Sequence, residues 1–275
     1  MPEGDTLFRA AAGLRPHLVG RSVTAARIRQ PGPAIDRIVG STVTAVESRG
    51  KNLLIRFDNG FEVRTHLRMN GSWHRYRPGE AWKRAASRAR LVLEVPGSVA
   101  VCFDAPVVEL FEQRAEPLHG ALRRLGPDLL DGAFDAQEAV RRLRAPERRE
   151  RAIAEALLDQ EALAGIGNVY RNEILFLERV SPFVQVGALD DAALERLVAT
   201  ARRLLRANVA DRPAKFGIER VTTGVDATAD GPLWVYRRAG RPCRRCGTLI
   251  RSTRQGRAAP RSTYWCPRCQ PDPTE

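Results

Sequence analysis

The spacing of apolar residues changes along the chain and predicts a short helix followed by a block of strands. A helix from Asp5 to Val19, with Asp5 as its cap, is predicted from apolar residues at helical spacing: Leu7, Ala11, Leu14 and Leu18. From residue 22 to about 111 the apolar runs are short, and turn signals separate them. Seven strands are predicted there: Ser22–Arg29, Thr42–Glu47, Asn52–Phe57, Phe61–Leu67, Arg90–Val95, Val99–Phe103 and Val107–Phe111. So many short strands in one block indicate a sandwich or a partly open barrel.

Beyond residue 126 the spacing of apolar residues becomes helical. Four helices are predicted: Gln137–Leu143, Ile153–Leu158, Val169–Leu177 and Ala192–Leu204. Gly165 and Gly167 join the second and third of these helices, and Asn168 lies at the start of the third. At a helix start, backbone N–H groups and a side-chain amide can hold a phosphate group. Asn168 can also act as a plain helix cap, and the sequence leaves both roles open.

The C-terminal segment carries a cysteine pattern that is typical of a zinc site. Cys243-x-x-Cys246 and Cys266-x-x-Cys269 are separated by nineteen residues, a spacing that supplies four thiolates to one tetrahedral zinc ion. Because four cysteines close the coordination sphere, the predicted Zn²⁺ is structural. Between the two pairs, Thr248–Ser252 and Ser262–Trp265 are predicted to form a hairpin, with Arg261 beside its second strand.

The charge of the chain favours a polyanionic partner. The 275 residues carry a formal net charge of +13, although a highly charged, soluble surface would also explain this value. The last forty residues are strongly basic, with ten arginines against Asp272 and Glu275. No apolar run approaches the ~18 residues that would span a bilayer, and charged residues interrupt any N-terminal signal peptide. We therefore expect a cytoplasmic protein that contacts phosphate groups and no membrane.

The first five residues, Met1-Pro2-Glu3-Gly4-Asp5, place a possible nucleophile beside a proton carrier. Removal of Met1, which the small Pro2 permits, would expose a secondary amine next to the Glu3 carboxylate. A free α-amino group has an ordinary pKa of about 7.7–8, so a useful fraction is uncharged at neutral pH. Such an amine can form an iminium (Schiff base) with an electrophilic carbon while the carboxylate moves protons. A solvated terminus without chemistry is the alternative.

Three loops of the β-block carry polar residues whose role the sequence leaves open. Lys51 follows a glycine turn and is either a strand-edge residue or a group kept for chemistry, since the chain has only three lysines. The segment from His66 to Asn70 ends a strand with bulky and polar side chains, which either pack locally or enter a DNA base stack. The arginine-rich segment 84–90 is predicted to be a solvated loop.

Together these segments resemble the family of formamidopyrimidine-DNA glycosylase and endonuclease VIII over nearly the whole chain. The resemblance rests on motifs in the family's order: Pro2-Glu3-Gly4, Arg49-Gly50-Lys51-x-Leu53-Leu54, His66-Leu67-x-Met69-x-Gly71, Gly167-Asn168, Val235-Tyr236 and Arg261-Ser262-Thr263-Tyr264-Trp265-Cys266-Pro267-x-Cys269-Gln270. It implies a multidomain α+β fold. A two-sheet β-sandwich flanked by helices would occupy residues 1–117, a helix–two-turn–helix domain 118–232 and a β-hairpin zinc finger 233–275. It also implies a monomer that binds damaged DNA, associated with the nucleoid if the organism is bacterial.

The resemblance implies a bifunctional DNA glycosylase and abasic-site lyase of base excision repair. Pro2 matches the nucleophile that attacks the sugar carbon C1′, and Glu3 matches the general acid/base that assists opening of the sugar ring. Lys51 matches a lysine that contacts phosphate and sugar during catalysis. Arg261 matches a phosphate contact that assists the second elimination. DNA contacts are implied for seven further residues: His66, Arg68, Met69, Asn70, Arg124, Asn168 and Tyr236.

The resemblance is closer to endonuclease VIII, which implies oxidised pyrimidines as substrates. The purine-directed branch carries an Arg-x-Phe loop late in its β-domain, and residues 104–111 lack it. Three further segments look closer to endonuclease VIII: 157–160, 163–165 and 264–267. Against this, residues 68–70 are not the Gln-Leu-Tyr of the best-known endonuclease VIII pattern. An oxidised-purine glycosylase of the same family and a catalytically inactive zinc-finger DNA-binding protein are the alternatives.

Overall fold

The computed structural model describes residues 2–209, 232–256 and 259–271. These residues fall into two compact units, one extending to Arg124 and one beginning at Leu125. They confirm the predicted α+β fold, with an N-terminal β-sandwich, a helical region and a C-terminal hairpin that carries four cysteines. Within these ranges, no helix has the length and apolar character needed to cross a membrane.

The first unit consists of a helix, two antiparallel sheets and a short final helix. Helix α1 is Gly4–Leu18 and helix α2 is Gly120–Arg123. The strands are β1 (Ala25–Ile28), β2 (Val43–Arg49), β3 (Asn52–Phe57), β4 (Phe61–His66), β5 (Ser72–Tyr76), β6 (Ala89–Val95), β7 (Ser98–Phe103) and β8 (Val107–Glu112). One sheet has the order β1-β6-β7-β5 and the other the order β2-β3-β4-β8. Short connections favour antiparallel pairing of the strands that are consecutive along the chain, which are β2-β3, β3-β4 and β6-β7.

The core of the first unit joins the apolar face of α1 to the two sheets. Leu7, Leu14 and Leu18 are fully buried, and they belong to the same apolar cluster as Leu53 of β3 and Trp73 of β5. Burial of a side chain of this size contributes about 1.5–3 kcal/mol to the free energy of unfolding. The N-terminal helix is therefore anchored on the sandwich, and the residues that begin it have a fixed place.

Helix α1 begins at Gly4, and its N-cap is Glu3, so the predicted cap at Asp5 is wrong. The Glu3 backbone is extended, its carbonyl oxygen accepts from the N–H of Thr6 at 3.0 Å, and its own N–H donates to Thr6 Oγ1 at 3.4 Å. Asp5 lies inside the first turn, where it is buried and forms an ion pair with Arg9 at 3.4 Å. Arg9 lies one turn later on the same face of the helix, so it pairs with the Asp5 carboxylate that was predicted to cap the helix.

Strand β5 is absent from the sequence prediction. It mixes aromatic and polar side chains, so its hydropathy shows no clear alternation. Trp73 is buried in the main core, whereas Tyr76 is buried in a second apolar cluster with Phe103. Because both faces of the strand are covered, large aromatic residues occur on both, and the period-two signal of a half-exposed strand is lost.

The arginine-rich segment 84–90 is only in part the predicted solvated loop. Residues 86–88 form a short 3₁₀ turn, and β6 begins at Ala89. Arg84 and Arg88 both form ion pairs with Asp104, at 2.8 and 2.7 Å. Hydropathy does not predict these ion pairs, because a long arginine side chain can leave its own backbone exposed and still bind a distant carboxylate.

The second unit contains four helices and a two-stranded hairpin among its described residues. The helices are α3 (Ala136–Leu143), α4 (Ile153–Ala156), α5 (Asn168–Leu177) and α6 (Asp191–Ala207), and the strands are β9 (Arg251–Gln255) and β10 (Arg261–Trp265). Asp135 caps α3 by accepting from two backbone N–H groups, and Asp190 caps α6 in the same way through one. Their apolar faces form one buried core that includes Leu143, Tyr170 and Leu197.

Strand β9 begins three residues later than predicted. Thr248 and Ile250 belong instead to the turn that follows the first cysteine pair. The Thr248 carbonyl oxygen accepts from the N–H of Cys243 at 2.8 Å, and the N–H of Ile250 donates to the Arg241 carbonyl oxygen at 3.0 Å. These bonds turn the backbone around Cys243, whose thiol belongs to the cysteine cluster. β-Propensity does not predict such a turn.

Candidate functional site

The N-terminal pair of the first unit lies at the head of α1. Pro2 is partly exposed and directly precedes the cap residue, while the Glu3 side chain is fully buried. The positive end of the helix dipole favours a carboxylate at this position. The pair therefore combines an accessible residue, whose nitrogen becomes an amine once Met1 is removed, with an adjacent carboxylate shielded from bulk water.

Lys51 lies at the tip of a tight hairpin between β2 and β3. Gly50 and Lys51 form its two-residue turn, and Gly50 has a φ of 57°, a conformation that favours glycine. Asn52 closes the turn, since its Nδ2 donates to the Arg49 carbonyl oxygen at 3.0 Å and its Oδ1 accepts from Arg64 Nε at 2.9 Å. The lysine is thus carried on a braced backbone and not on a loose loop.

His66 ends β4 and pairs in register with Asn52, so it lies at the same end of the sheet as the Lys51 hairpin. Its Nδ1 accepts from the N–H of Arg68 at 3.2 Å. Burial, followed by the charges of Arg64, Lys51 and Arg68, lowers the pKa of His66 to about 4. The ring is therefore neutral at physiological pH. Because Nδ1 is the acceptor, the proton resides on Nε2, which is a donor.

The residues after His66 form a narrow, projecting turn. Leu67 is buried, Arg68 adopts a left-handed φ of 46°, and Met69 is 58% exposed. Gly71 ends the turn by donating to the Leu67 carbonyl oxygen at 3.0 Å, and a Cβ at Gly71 would lie only 2.6 Å from that oxygen. The tip, residues 68–70, is exposed as the prediction requires. Its insertion into DNA stays a prediction.

Arg124 is exposed and follows α2 at the end of the first unit. Its predicted contact with DNA stays a prediction. The first unit thus holds Pro2 and Glu3 at the head of α1, the Lys51 hairpin and the turn after His66 at one end of a sheet, and Arg124 after α2.

In the second unit, Asn168 is the first residue of α5, and its cap is Gly167, so the capping role left open for Asn168 is not the one observed. Asn168 is buried, and its Nδ2 donates to the Ser262 carbonyl oxygen of β10 at 3.0 Å. Its Oδ1 has no hydrogen-bond partner among the described residues. Asn168 therefore connects the start of the helix to the hairpin, and it retains an acceptor that a ligand or water can satisfy.

The sequence reasoning missed two neighbours of Asn168 that also hold the hairpin. Arg171 Nη2 donates to the Ser262 carbonyl oxygen at 3.0 Å and to Thr263 Oγ1 at 2.9 Å. Asn172 Oδ1 accepts from the N–H of Tyr264 at 2.6 Å. The available signal is the polar run Arg171-Asn172-Glu173 inside a helix that is otherwise apolar, because buried polar groups require partners.

Glu173 fixes the segment that leads into the cysteine hairpin. Its fully buried carboxylate accepts backbone N–H groups from Trp234 at 2.7 Å and from Val235 and Tyr236 at 2.9 Å each. Tyr236, a predicted site residue, is partly buried, and its ring packs edge-on against Tyr264 with centroids 5.3 Å apart. One carboxylate thus holds the backbone that carries the Tyr236 ring.

The four predicted cysteines gather into one cluster that fits a zinc ion. All four Sγ atoms lie within 4.8 Å of one another. Cys243 and Cys269 are 3.9 Å apart and Cys246 and Cys266 3.4 Å apart. Zn–S bonds of about 2.3 Å in a tetrahedron require sulfur atoms about 3.8 Å apart, so the predicted structural zinc ion is confirmed.

Arg261 begins β10 opposite Gln255 and is partly exposed. It lines an open groove of the second unit, whose other lining residues include Arg151, Glu155 and Arg171. The second unit therefore brings Asn168, Tyr236 and Arg261 together around the hairpin that the cysteine cluster closes. Charged and polar donors on this hairpin are suited to phosphate groups.

Three known domain families match this chain. Residues 1–106 match the formamidopyrimidine-DNA glycosylase N-terminal domain, and residues 125–216 match the formamidopyrimidine-DNA glycosylase H2TH domain. Residues 240–271 match the zinc finger found in FPG and IleRS. The three matches follow one another along the chain without overlap.

Similar proteins cover the chain almost completely. A probable endonuclease 8 2 of Streptomyces coelicolor is 44% identical over 99% of this chain and 95% of its own length. A DNA-(apurinic or apyrimidinic site) lyase, Nei2, of Mycolicibacterium smegmatis is 42% identical over 98% of this chain and 99% of its own length. Formamidopyrimidine-DNA glycosylase of Lactococcus lactis, solved with DNA containing an abasic site, has the same fold, with a TM-score of 0.80, 21% identity and coverage of 98% of this chain and 100% of that one.

Proposed function

The chain belongs to the family of formamidopyrimidine-DNA glycosylase and endonuclease VIII, and we propose that it removes oxidised pyrimidines from DNA. It is a bifunctional DNA glycosylase and abasic-site lyase of base excision repair. The observation that carries the proposed mechanism is the pairing of a partly exposed Pro2 with a buried Glu3 at the head of an anchored helix. We further propose that a monomer acts on DNA in the cytoplasm, since one chain carries all the proposed site residues.

The first step is attack on the sugar of a nucleotide that has been flipped out of the duplex. The Pro2 nitrogen bonds to C1′, the bond from C1′ to the base breaks, and the base leaves with a proton. Glu3 supplies a proton to the sugar-ring oxygen as the ring opens, which leaves an iminium between Pro2 and C1′. General acid/base assistance of this kind accelerates such steps by about 10²–10⁴-fold. Burial of Glu3 places this proton transfer away from bulk water.

The second stage breaks the strand without attack of water on phosphorus. The iminium withdraws electrons from C1′, so the C2′ proton becomes acidic and is removed by a base. The electrons form a C1′–C2′ double bond of an enamine and then expel the 3′ phosphate. A second elimination expels the 5′ phosphate, and water finally hydrolyses the iminium and regenerates the Pro2 amine. Each departing phosphate carries negative charge that nearby cations stabilise.

The phosphate contacts are assigned to residues of both units. Lys51, on its braced hairpin, contacts phosphate and sugar, while Arg261 binds a phosphate and assists the second elimination. His66 contributes a neutral Nε2 donor, and Asn168 and Tyr236 hold the strand beside the hairpin. The four cysteines would hold the zinc ion, which supplies a structural crosslink for the Arg261 hairpin.

The preference for pyrimidines is supported by the connection between β7 and β8. Only Asp104, Ala105 and Pro106 join these strands, so the connection has no room for the Arg-x-Phe loop of the purine-directed branch. Asp104 is instead committed to Arg84 and Arg88. The space left by a flipped nucleotide must then be filled by the turn of Arg68, Met69 and Asn70.

A cleavage assay on matched duplexes tests this proposal. Single-turnover excision is measured for thymine glycol and for 8-oxoguanine in the same sequence, with an undamaged duplex as the control. We expect thymine glycol to be excised at least about tenfold faster, a ratio that contacts in one pocket can supply. Equal rates or the reverse order would contradict the pyrimidine preference and favour an oxidised-purine glycosylase of the same family.

A further inference from the structure

The exposed turn of residues 68–70 is held from both of its ends. On one side, the N–H of Arg68 donates to His66 Nδ1 at 3.2 Å. On the other side, Arg84 Nη1 donates to the Asn70 carbonyl oxygen at 3.3 Å. The first bond belongs to the strand that leads into the turn. The second comes from a segment fourteen residues further along the chain.

Arg84 is itself held by the short β7–β8 connection. The same Nη1 donates to Asp104 Oδ2 at 2.8 Å. Arg88 contacts both oxygens of this carboxylate, with Nε at 3.0 Å from Oδ1 and Nη2 at 2.7 Å from Oδ2, the oxygen that it shares with Arg84. The Arg88 hydrogen bond, with further help from Arg84, holds the pKa of Asp104 below its ordinary value, so the carboxylate is charged across the physiological range. Asp104 has a left-handed φ of 51°, a conformation uncommon for residues other than glycine.

Aromatic packing fixes the segment that carries Arg84. The Trp82 ring stacks on Tyr76 at a centroid distance of 6.1 Å and meets Phe103 edge-on at 5.8 Å. The N–H of Lys83 donates to the Tyr76 hydroxyl at 3.1 Å. Arg84 therefore leaves a backbone that is pinned to the outer face of the sheet, and its guanidinium has a defined position.

We propose that Arg84 and Asp104 are positioning residues that hold the turn of Arg68, Met69 and Asn70 ready to fill the space left by a flipped nucleotide. This inference rests on the proposed function, because only an enzyme that flips a nucleotide needs such a turn. The β7–β8 connection, which is too short to carry the Arg-x-Phe loop, would then contribute through the Asp104 carboxylate. A turn that is already ordered loses less conformational freedom when it enters the base stack.

The proposal predicts a separation between two activities of the same protein. Excision from a duplex needs the turn to replace the flipped nucleotide. Strand cleavage at an abasic site in single-stranded DNA has no opposite strand and no stack to restore. Loss of the Arg84 contact should therefore slow the first reaction and leave the second unchanged.

The test compares Arg84→Gln, Asp104→Asn and the conservative Arg84→Lys with a matched control. Arg27→Gln serves as the control, because it removes a different arginine–carboxylate pair, with Glu94, on the same sandwich. Each variant is assayed for excision of thymine glycol from a duplex and for cleavage of single-stranded abasic DNA. Fluorescence of 2-aminopurine beside the lesion reports how well the stack is opened, and circular dichroism melting checks the fold.

We expect Arg84→Gln and Asp104→Asn to excise from the duplex about tenfold more slowly, with a weaker 2-aminopurine signal, since small positional errors are costly in catalysis. Cleavage of single-stranded abasic DNA should stay within about twofold of wild type, and Arg84→Lys should recover part of the duplex rate. Wild-type duplex rates in Arg84→Gln, or an equal loss on both substrates, would overturn the proposal. Failure of the wild-type protein to cleave abasic DNA would overturn the proposed function itself.

Discussion

At the scale of single residues, Glu3 has two tasks that a substitution can separate. Its backbone caps α1, and its buried carboxylate is assigned to proton transfer. Glu3→Gln keeps the backbone and the shape of the side chain but cannot carry the proton. We expect excision of an oxidised base to fall by about 10²–10⁴-fold, the usual contribution of a general acid/base.

The same variant should still form a covalent adduct with abasic DNA, because the proposed nucleophile is the amine of Pro2. Single-turnover kinetics on a lesion duplex measure base excision, and borohydride trapping on an abasic duplex measures formation of the covalent adduct. Glu195→Gln, at an exposed glutamate of α6, is the matched control. An unchanged excision rate in Glu3→Gln would contradict the role assigned to its carboxylate.

His66 should make the stability of the protein depend on pH. Its pKa is lowered to about 4 in the fold, mainly by burial, whereas an unfolded histidine has a pKa of about 6.5. Between these values the unfolded chain binds the proton and the folded chain does not. The contribution of the neutral His66 to the free energy of unfolding is therefore fully present above pH 6.5 and is lost as the pH falls towards 4. The loss amounts to at most about 3 kcal/mol.

Urea unfolding of wild type and His66→Gln from pH 7.5 to 4.5 measures this contribution. The difference in free energy of unfolding between the two proteins should shift in favour of the variant as the pH falls. A difference that stays constant over this range would show that His66 is not buried as a neutral ring.

Site residues could be proposed from the sequence only where a motif carries them, and the catalytic and DNA-binding roles of those residues stay predictions. Pro2, Glu3 and Lys51 are read from their motifs, and the four cysteines from their spacing alone. The partners of Arg84 could not be found in this way, because Asn70 and Asp104 are distant in sequence and meet only through the sandwich. The cap at Asp5 was misplaced because a local capping rule does not see the competing Arg9.

At the scale of elements, α5 is the support of the cysteine hairpin. Asn168, Arg171 and Asn172 bond to β10, and Glu173 accepts three N–H groups from the segment that leads to the hairpin. The zinc ion therefore shares the task of shaping the hairpin with one polar helix face.

Glu173→Gln should weaken this support without removing the metal. The amide keeps one oxygen acceptor but loses the charge and the second oxygen, and hydrogen bonds to a charged group are each worth about 1.5–3 kcal/mol. We expect a lower melting temperature and weaker binding of an abasic-site duplex, with zinc content unchanged. Melting, fluorescence anisotropy and metal analysis measure these properties, and Glu195→Gln, at an exposed glutamate of α6, is again the control. Wild-type affinity in Glu173→Gln would contradict the supporting role.

Elements were predictable where one face of them is apolar. Helices α1, α3 and α6 follow from spacing because each has one face against a core. Helix α5 also follows from the helical spacing of its apolar residues, although nearly all of its residues are buried. Strand β5 was missed because it mixes aromatic and polar side chains, whereas β7, which is buried on both faces, is predicted from its continuous apolar run. Strand β9 was misplaced because the cysteine cluster, not β-propensity, determines the preceding turn.

At the scale of the whole molecule, the proposed site residues fall into two groups, one in each compact unit. The first unit carries Pro2, Glu3 and Lys51, and the second carries Asn168 and Arg261. A net charge of +13 favours association with DNA, but the proposed chemistry depends on a single amine. The central claim is therefore that the Pro2 nitrogen bonds covalently to the sugar.

Borohydride trapping on a duplex with one abasic site tests this claim most directly. The protein is first confirmed by mass spectrometry to begin at Pro2, and a form that retains an N-terminal tag is treated in parallel. We expect a covalent protein–DNA adduct that maps to the Pro2 nitrogen, and none with the tagged form, which should still bind the DNA. No adduct from the Pro2 form, or equal trapping of the tagged form, would show that the Pro2 nitrogen is not the nucleophile.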